Sequence, residues 1–122
     1  MNLGPNQEKW LSALESDKYQ QGMHSLCKKD NEGVWRYCCL GVLLEEFNLF
    51  TQEYCYFKLS KSDLAASLSV EEQNLVGLRS CTGMINNGDG KTLASLNDTG
   101  TTFKEIVKFI RENSETVFAD SI

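Results

Sequence analysis

Five cysteines and one histidine are the residues whose chemistry is most specific, and their spacing limits what they can do. Cys27, Cys38, Cys39, Cys55 and Cys81 contain no Cys-x-x-Cys pair, and His24 is the single imidazole. A tetrahedral metal site wants thiolates and imidazoles at short fixed spacings. Only Cys38 and Cys39 are close, and they are adjacent, so no metal ligand and no cofactor is assigned. A cysteine nucleophile needs an accessible thiol beside a base. His24 could meet Cys38 or Cys39 only across a hairpin. The simpler reading keeps the thiols as buried apolar fillers and His24 as a surface ring.

Phosphate cradles are glycine-rich turns that open onto a helix. Asn97-Asp98-Thr99-Gly100-Thr101-Thr102 enters a helix and forms a generic anion site, which Asp98 opposes unless it serves as an internal cap. Gly88-Asp89-Gly90-Lys91-Thr92 resembles the end of a phosphate loop but has Ile85 where the first glycine belongs; a hairpin turn accounts for it. Glu45-Glu46 and Glu71-Glu72 read as solvated charge on helix faces, not as acid–base pairs. Aromatic rings are the remaining resource: Tyr19, Trp35, Tyr37, Tyr54, Tyr56 and Phe57, with Arg36, Lys58 and Arg79 as nearby cations. Such rings can stack a planar ligand while a cation holds its phosphate. Core packing or an oligomer interface uses the same rings.

The elements that must position these groups follow from pattern. Pro5 opens a helix, Trp10, Leu11 and Leu14 form its apolar stripe, and it stops near Ser16-Asp17. Met23 to Lys28 and Val34 to Tyr37 are β-prone segments around Asp30-Asn31-Glu32-Gly33, which predicts a hairpin. Trp35 to Leu44 is the densest apolar run; from Cys38 it takes helical period and reads as a buried helix fading at Asn48. Gly41 inside it predicts close backbone packing. Tyr54 to Leu59 is a strand candidate and Leu64 to Leu68 a weak helix. Ser69 with Glu72 is a capping box, for a short helix ending at Gly77. Cys81 to Ile85 reads as a strand, Asn86 to Gly90 as a turn, and Lys91 to Leu96 as a strand or a helical turn. Thr102 with Glu105 is a second capping box, and Phe103, Ile106, Val107 and Ile110 recur at i, i+3, i+4, i+7, the most secure helix in the chain. It ends near Asn113.

These elements predict one α+β domain over residues 1–122: three to four helices packed on a small antiparallel sheet of hairpins. Residues 114–122 are expected to fray, with Val117 and Phe118 able to dock. A chain of 122 residues buries about two-thirds of its unfolded surface and folds without a staple. Its net charge of -5 argues against direct nucleic-acid binding, which relies on neutralised phosphates, and suits a basic protein partner. No run reaches the roughly 18–20 apolar residues of a membrane span. The odd cysteine count and a polar start without a secretory leader set the expectation of reduced thiols in a cytoplasm.

Several blocks carry a resemblance: Lys9-Trp10-Leu11 with Ala13-Leu14, Lys18-Tyr19 with Gln21-Gly22, Tyr37-Cys38-Cys39-Leu40-Gly41-Val42-Leu43, and Leu96-Asn97-Asp98-x-Gly100-x-Thr102-Phe103-x-Glu105-Ile106. Together they resemble a family of small uncharacterised proteins encoded by tailed phages and prophages, over most of the chain. Residues 47–87 and the length between Gly22 and Tyr37 depart from that pattern. The resemblance implies a phage protein acting in the cytoplasm of an infected bacterium, of the kind that counters host defence by binding. The expected ligand is a small nucleotide-derived immune signal; the alternative partner is a host defence protein occluded by an acidic inhibitor, and a small hydrolase is the lesser alternative. In the concrete version, Tyr19, Trp35 and Tyr37 line a pocket. Gln21, Asn97 and Asp98 supply hydrogen bonds, and Arg36 or Arg79 holds phosphate. A homo-oligomer is expected to complete it.

Overall fold

The computed structural model describes residues 3–23, 27–47, 70–85 and 90–119. The expected strand at 54–59, helix at 64–68, residue Ser69, the turn at 86–89, His24 and Cys55 lie outside the described residues. Helix α1 (Pro5–Glu15) begins as its proline predicts. Its buried face is Gln7, Trp10, Leu11, Ala13 and Leu14. Gln7 is a polar member of that face: its Oε1 accepts from Gly4 N at 2.8 Å, and its Nε2 donates to Val76 O at 2.8 Å. Trp10 donates from Nε1 to Cys39 O at 2.9 Å, so its indole fills the core without leaving a polar atom unpaired.

Three short strands follow: β1 (Gln20–Gln21), β2 (Cys27–Lys29) and β3 (Trp35–Tyr37). The hairpin read from Asp30-Asn31-Glu32-Gly33 forms, with β2 antiparallel to β3. Asp30 Oδ1 closes the turn by accepting from Glu32 N and Val34 N, both at 2.9 Å. The sheet is nevertheless mixed, in order β1-β3-β2, because β1 pairs parallel with β3. That pairing corrects the expectation of a wholly antiparallel sheet. It continues past the strand, where Gly22 N donates to Tyr37 O at 2.7 Å. The approach is close enough that a Cβ on Gly22 would sit 2.9 Å from Arg36 Cβ, so a side chain there would push the strands apart.

Helix α2 (Cys39–Glu46) is buried from Cys39 through Leu44, as an all-round apolar helix must be. Helix α3 (Val70–Asn74) is followed by Gly77 at φ 75, the left-handed position expected to end it. The strand expected at Cys81 to Ile85 reduces to an isolated bridge between Met84 and Thr92. Ser80 Oγ accepts from Met84 N at 2.9 Å, drawing the chain into a bend instead. Thr92 caps helix α4 (Leu93–Asp98), which resolves the open choice for that segment in favour of helix. Helix α5 (Phe103–Glu112) carries the capping box and the buried stripe read from sequence. A further short helix, α6 (Ser114–Val117), occupies the start of the segment expected to fray, of which residues 120–122 lie outside the described residues; Val117 and Phe118 dock at 0% and 1% exposure, and Phe118 bridges to Leu78. Six helices are thus described, against an expected three to four, with Trp10, Leu40, Leu43, Leu44, Ile106 and Ile110 at the centre of one core.

Candidate functional site

Two amide side chains join the elements around the sheet. Asn97, fully buried at the end of α4, accepts at Oδ1 from Cys39 N at 3.2 Å and from Gln21 Nε2 at 2.9 Å. Its Nδ2 donates to Gly22 O at 2.7 Å, with a longer contact to Asp98 Oδ1 at 3.4 Å. Gln21 also donates to Thr101 O at 2.7 Å and accepts from Phe103 N at 3.1 Å. A primary amide offers two donors and one acceptor oxygen. Both are therefore committed to the chain: Gln21 and Asn97 tie β1, the start of α2, the end of α4 and the start of α5 together.

A hollow of about 300 Å³ opens beside this junction. It is lined by the apolar faces of Leu14, Tyr19 and Phe103, by Gln21 and Thr102, and by Asp17 and Lys104, whose side chains are exposed. Tyr19 is held from three sides. Its hydroxyl donates a short hydrogen bond to Glu46 Oε2, its ring meets Tyr37 edge-on with centroids 5.2 Å apart, and Lys18 Nζ lies 5.3 Å from its centroid. Burial and the Glu46 carboxylate push the Tyr19 hydroxyl well above its ordinary range, so it stays a donor. The Tyr19 hydrogen bond, opposed by burial and helped by Lys18, holds Glu46 below the usual carboxylate range. Glu46 is thus a committed acceptor, not the solvated charge expected of it.

The first-turn amides of α5 are mostly taken. Phe103 N goes to Gln21, Glu105 N to Thr102 Oγ1 at 3.2 Å, and Ile106 N to Thr102 O. The Lys104 side chain reaches Asp17 Oδ2 at 3.3 Å across an exposed pair. Asp17 itself adopts a left-handed backbone, φ 61, just past the end of α1.

The structure brings Tyr19, Gln21, Tyr37, Asn97 and Asp98 into one neighbourhood, and only Tyr19 and Gln21 line the hollow. Trp35 is 39% exposed on the sheet. Arg36 Nε is paired with Asp30 Oδ2 at 2.9 Å. Arg79 turns to α6, where Nη2 donates to Glu115 O at 2.9 Å; its buried Nε has no hydrogen-bond partner among the described residues. Neither arginine lines the hollow. Lys104 and Asp17, which do, escaped the sequence reading because they lie 87 residues apart. The only local signals were the end of α1 and the first turn of α5. A wider depression of about 430 Å³ is walled by residues 111–116 alone and has no aromatic face.

None of the described cysteines lines the hollow. Cys38 and Cys39 are 3% and 0% exposed. Burial pushes the Cys38 thiol up to about 11 and holds the Cys39 thiol well above its ordinary range. No cluster of three metal-ligating side chains occurs among the described residues, and no described helix is long and apolar enough to cross a membrane. No curated protein and no solved structure matches the chain. Residues 5–114, which hold the hollow and the whole Gln21–Asn97 junction, match the Domain of unknown function (DUF8296), and the chain belongs to that family.

Proposed function

We propose that the chain is a phage-type counter-defence protein that acts by binding and sequesters a small nucleotide-derived immune signal of the cyclic-nucleotide or ADP-ribose kind. The observation that carries this reading is the hollow beside Tyr19. It combines two aromatic side chains, Tyr19 and Phe103, with the Lys104 ammonium at the N-terminal end of a ten-residue helix. Rings stack a base, and a cation at a helix N-terminus favours an anion. The phage context rests on the sequence resemblance, and the cytoplasm of the infected host is its setting. A homo-oligomer belongs to the proposal, because a neighbouring copy would enclose a hollow this open.

Thermal denaturation with cyclic mononucleotides, cyclic dinucleotides and ADP-ribose tests it. A ligand at a hundred times its Kd adds about 2.7 kcal/mol, which raises Tm by roughly 5 °C or more in a domain of this size. Recovering the ligand intact by mass spectrometry sets aside the hydrolase reading. Flat melting curves with every ligand would count against capture.

A second reading has its own observation. Val34 and Trp35 stand exposed together on the hairpin, at 36% and 39%. An acidic chain with an exposed aromatic suits occlusion of a basic host defence protein. A stable complex with such a protein, lost on Trp35→Ala and indifferent to Lys104→Ala, would favour it.

A further inference from the structure

We infer that the hollow beside Tyr19 takes a planar ring carrying one negative charge, of cyclic mononucleotide size, and that Asp17 holds the place of that charge until it arrives. The inference rests on the capture reading and narrows its ligand.

Size and charge both point this way. A space of about 300 Å³ lies at the lower bound of small-molecule pockets, enough for a base and its sugar but not for two. Among the described residues lining it, Lys104 is the one cation and Asp17 the one carboxylate. Among the described residues no second cation lines it: Lys18 is paired with Glu46 at 3.1 Å, and Arg36 with Asp30 at 2.9 Å. A ligand with two charges would leave one uncompensated beside Asp17 and the Glu105 carboxylate, which caps Thr102. A single charge exchanges cleanly with Asp17.

The wall is set before the ligand binds. Tyr19 cannot swing freely while Glu46 and Tyr37 hold it, so its ring loses little freedom on stacking. The Lys104–Asp17 pair is by contrast exposed on both sides, at 64% and 78%, and exchanges at low cost. The exchange leaves α1 and α5 in place and moves two surface side chains.

Titration calorimetry on the full chain tests this with 3′,5′-cyclic AMP and cyclic CMP as monoanions. AMP serves as a ligand of equal size with a further charge, methyl phenyl phosphate (a diester) as an aryl monoanion without a nucleoside, and cyclic di-GMP and ADP-ribose as larger dianions. Cyclic mononucleotides are expected to bind at least tenfold tighter than AMP, the dinucleotide or ADP-ribose. Binding by methyl phenyl phosphate as tight as by cyclic AMP would show that the ring and charge suffice and overturn the mononucleotide assignment. Asp17→Asn is the deciding variant, since Asn also tolerates the left-handed backbone. It should tighten cyclic mononucleotide binding by about 2- to 5-fold, with the ligand-free melting curve unchanged. Weaker binding in Asp17→Asn would overturn the placeholder role. Preference for cyclic di-GMP or ADP-ribose would overturn the inference and leave the capture reading standing. No heat with any of them would overturn both.

Discussion

Asn97 is the residue at which the fold is most exposed to a single change. Replacing it with Ala strands Cys39 N and Gly22 O in the interior and removes one partner of Gln21. Each buried group left without a partner costs about 1–3 kcal/mol, so Asn97→Ala should lose roughly 3 kcal/mol in urea denaturation. Asn97→Asp keeps the acceptor but loses the donor to Gly22 and adds charge beside Asp98; it should be destabilising too. Full stability in either variant would mean that the junction is not what holds the sheet to α4. The cysteines make a separate prediction. Native protein treated with iodoacetamide at pH 8 should be modified at exposed Cys81 well before Cys27, Cys38 or Cys39, as read by peptide mapping. The thiolate is the reactive form, and burial suppresses it at Cys38 and Cys39. Early labelling of Cys38 would reopen the nucleophile reading that its burial closes.

At the scale of elements, α5 shows what local sequence can specify. Thr102 and Glu105 cap it reciprocally: Thr102 Oγ1 accepts from Glu105 N at 3.2 Å, and Glu105 Oε1 accepts from Thr102 N at 3.2 Å. Thr102→Ala should lose about 1 kcal/mol, measured as a lower midpoint in urea. Gln21→Ala should lose more, because Gln21 bonds the same helix start and Asn97 together. The cap, the stripe of Phe103, Ile106, Val107 and Ile110, and the Asp30 turn were legible because each is written within a few residues. The parallel pairing of β1 was not. Gln20-Gln21 has no β-branched or aromatic residue to mark a strand, and its partner β3 is the second strand of the hairpin that follows. Cys81 to Ile85 misled for the opposite reason: its alternation resembles a strand, yet Ser80 captures the backbone amides of Thr82 and Met84. The hollow was half legible. Tyr19 and Gln21 sit in one sequence block, whereas Leu14, Asp17 and Lys104 meet them only through the packing of α1 on α5.

For the whole molecule, ionised carboxylates add to the packing of the helices on the apolar core, and this gives stability a defined pH dependence. Arg111 bonds Glu8 at 2.8 Å and Glu15 at 3.1 Å, clamping α5 to α1. Glu46 receives Tyr19 and Lys18, clamping α2 to the chain leaving α1. Glu8 is held below its ordinary range chiefly by the Arg111 hydrogen bond, and Glu46 chiefly by that from Tyr19. Thr102 does the same for Glu105, and the Val34 amide, then Arg36, for Asp30. A carboxyl whose folded pKa is depressed contributes stability that is present above its unfolded value, 4.5 for the three glutamates and 3.8 for Asp30. That stability is lost as pH falls through the folded value, because the unfolded chain then binds more protons. The midpoint in urea should therefore stay level from pH 7 to about pH 5 and fall steeply below about 4.5. Glu46→Gln should be less stable at pH 7 and show a shallower fall, since one of the titrating clamps is gone. Much of the effect at Glu8 should be screened in 1 M salt, because its pair with Arg111 is exposed. The Tyr19–Glu46 bond lies deeper and should persist. A wild-type midpoint that holds level to pH 3, or a Glu46→Gln slope as steep as wild type, would show that these clamps do not govern the fold. The stability of the fold would then have to be explained from the apolar core alone.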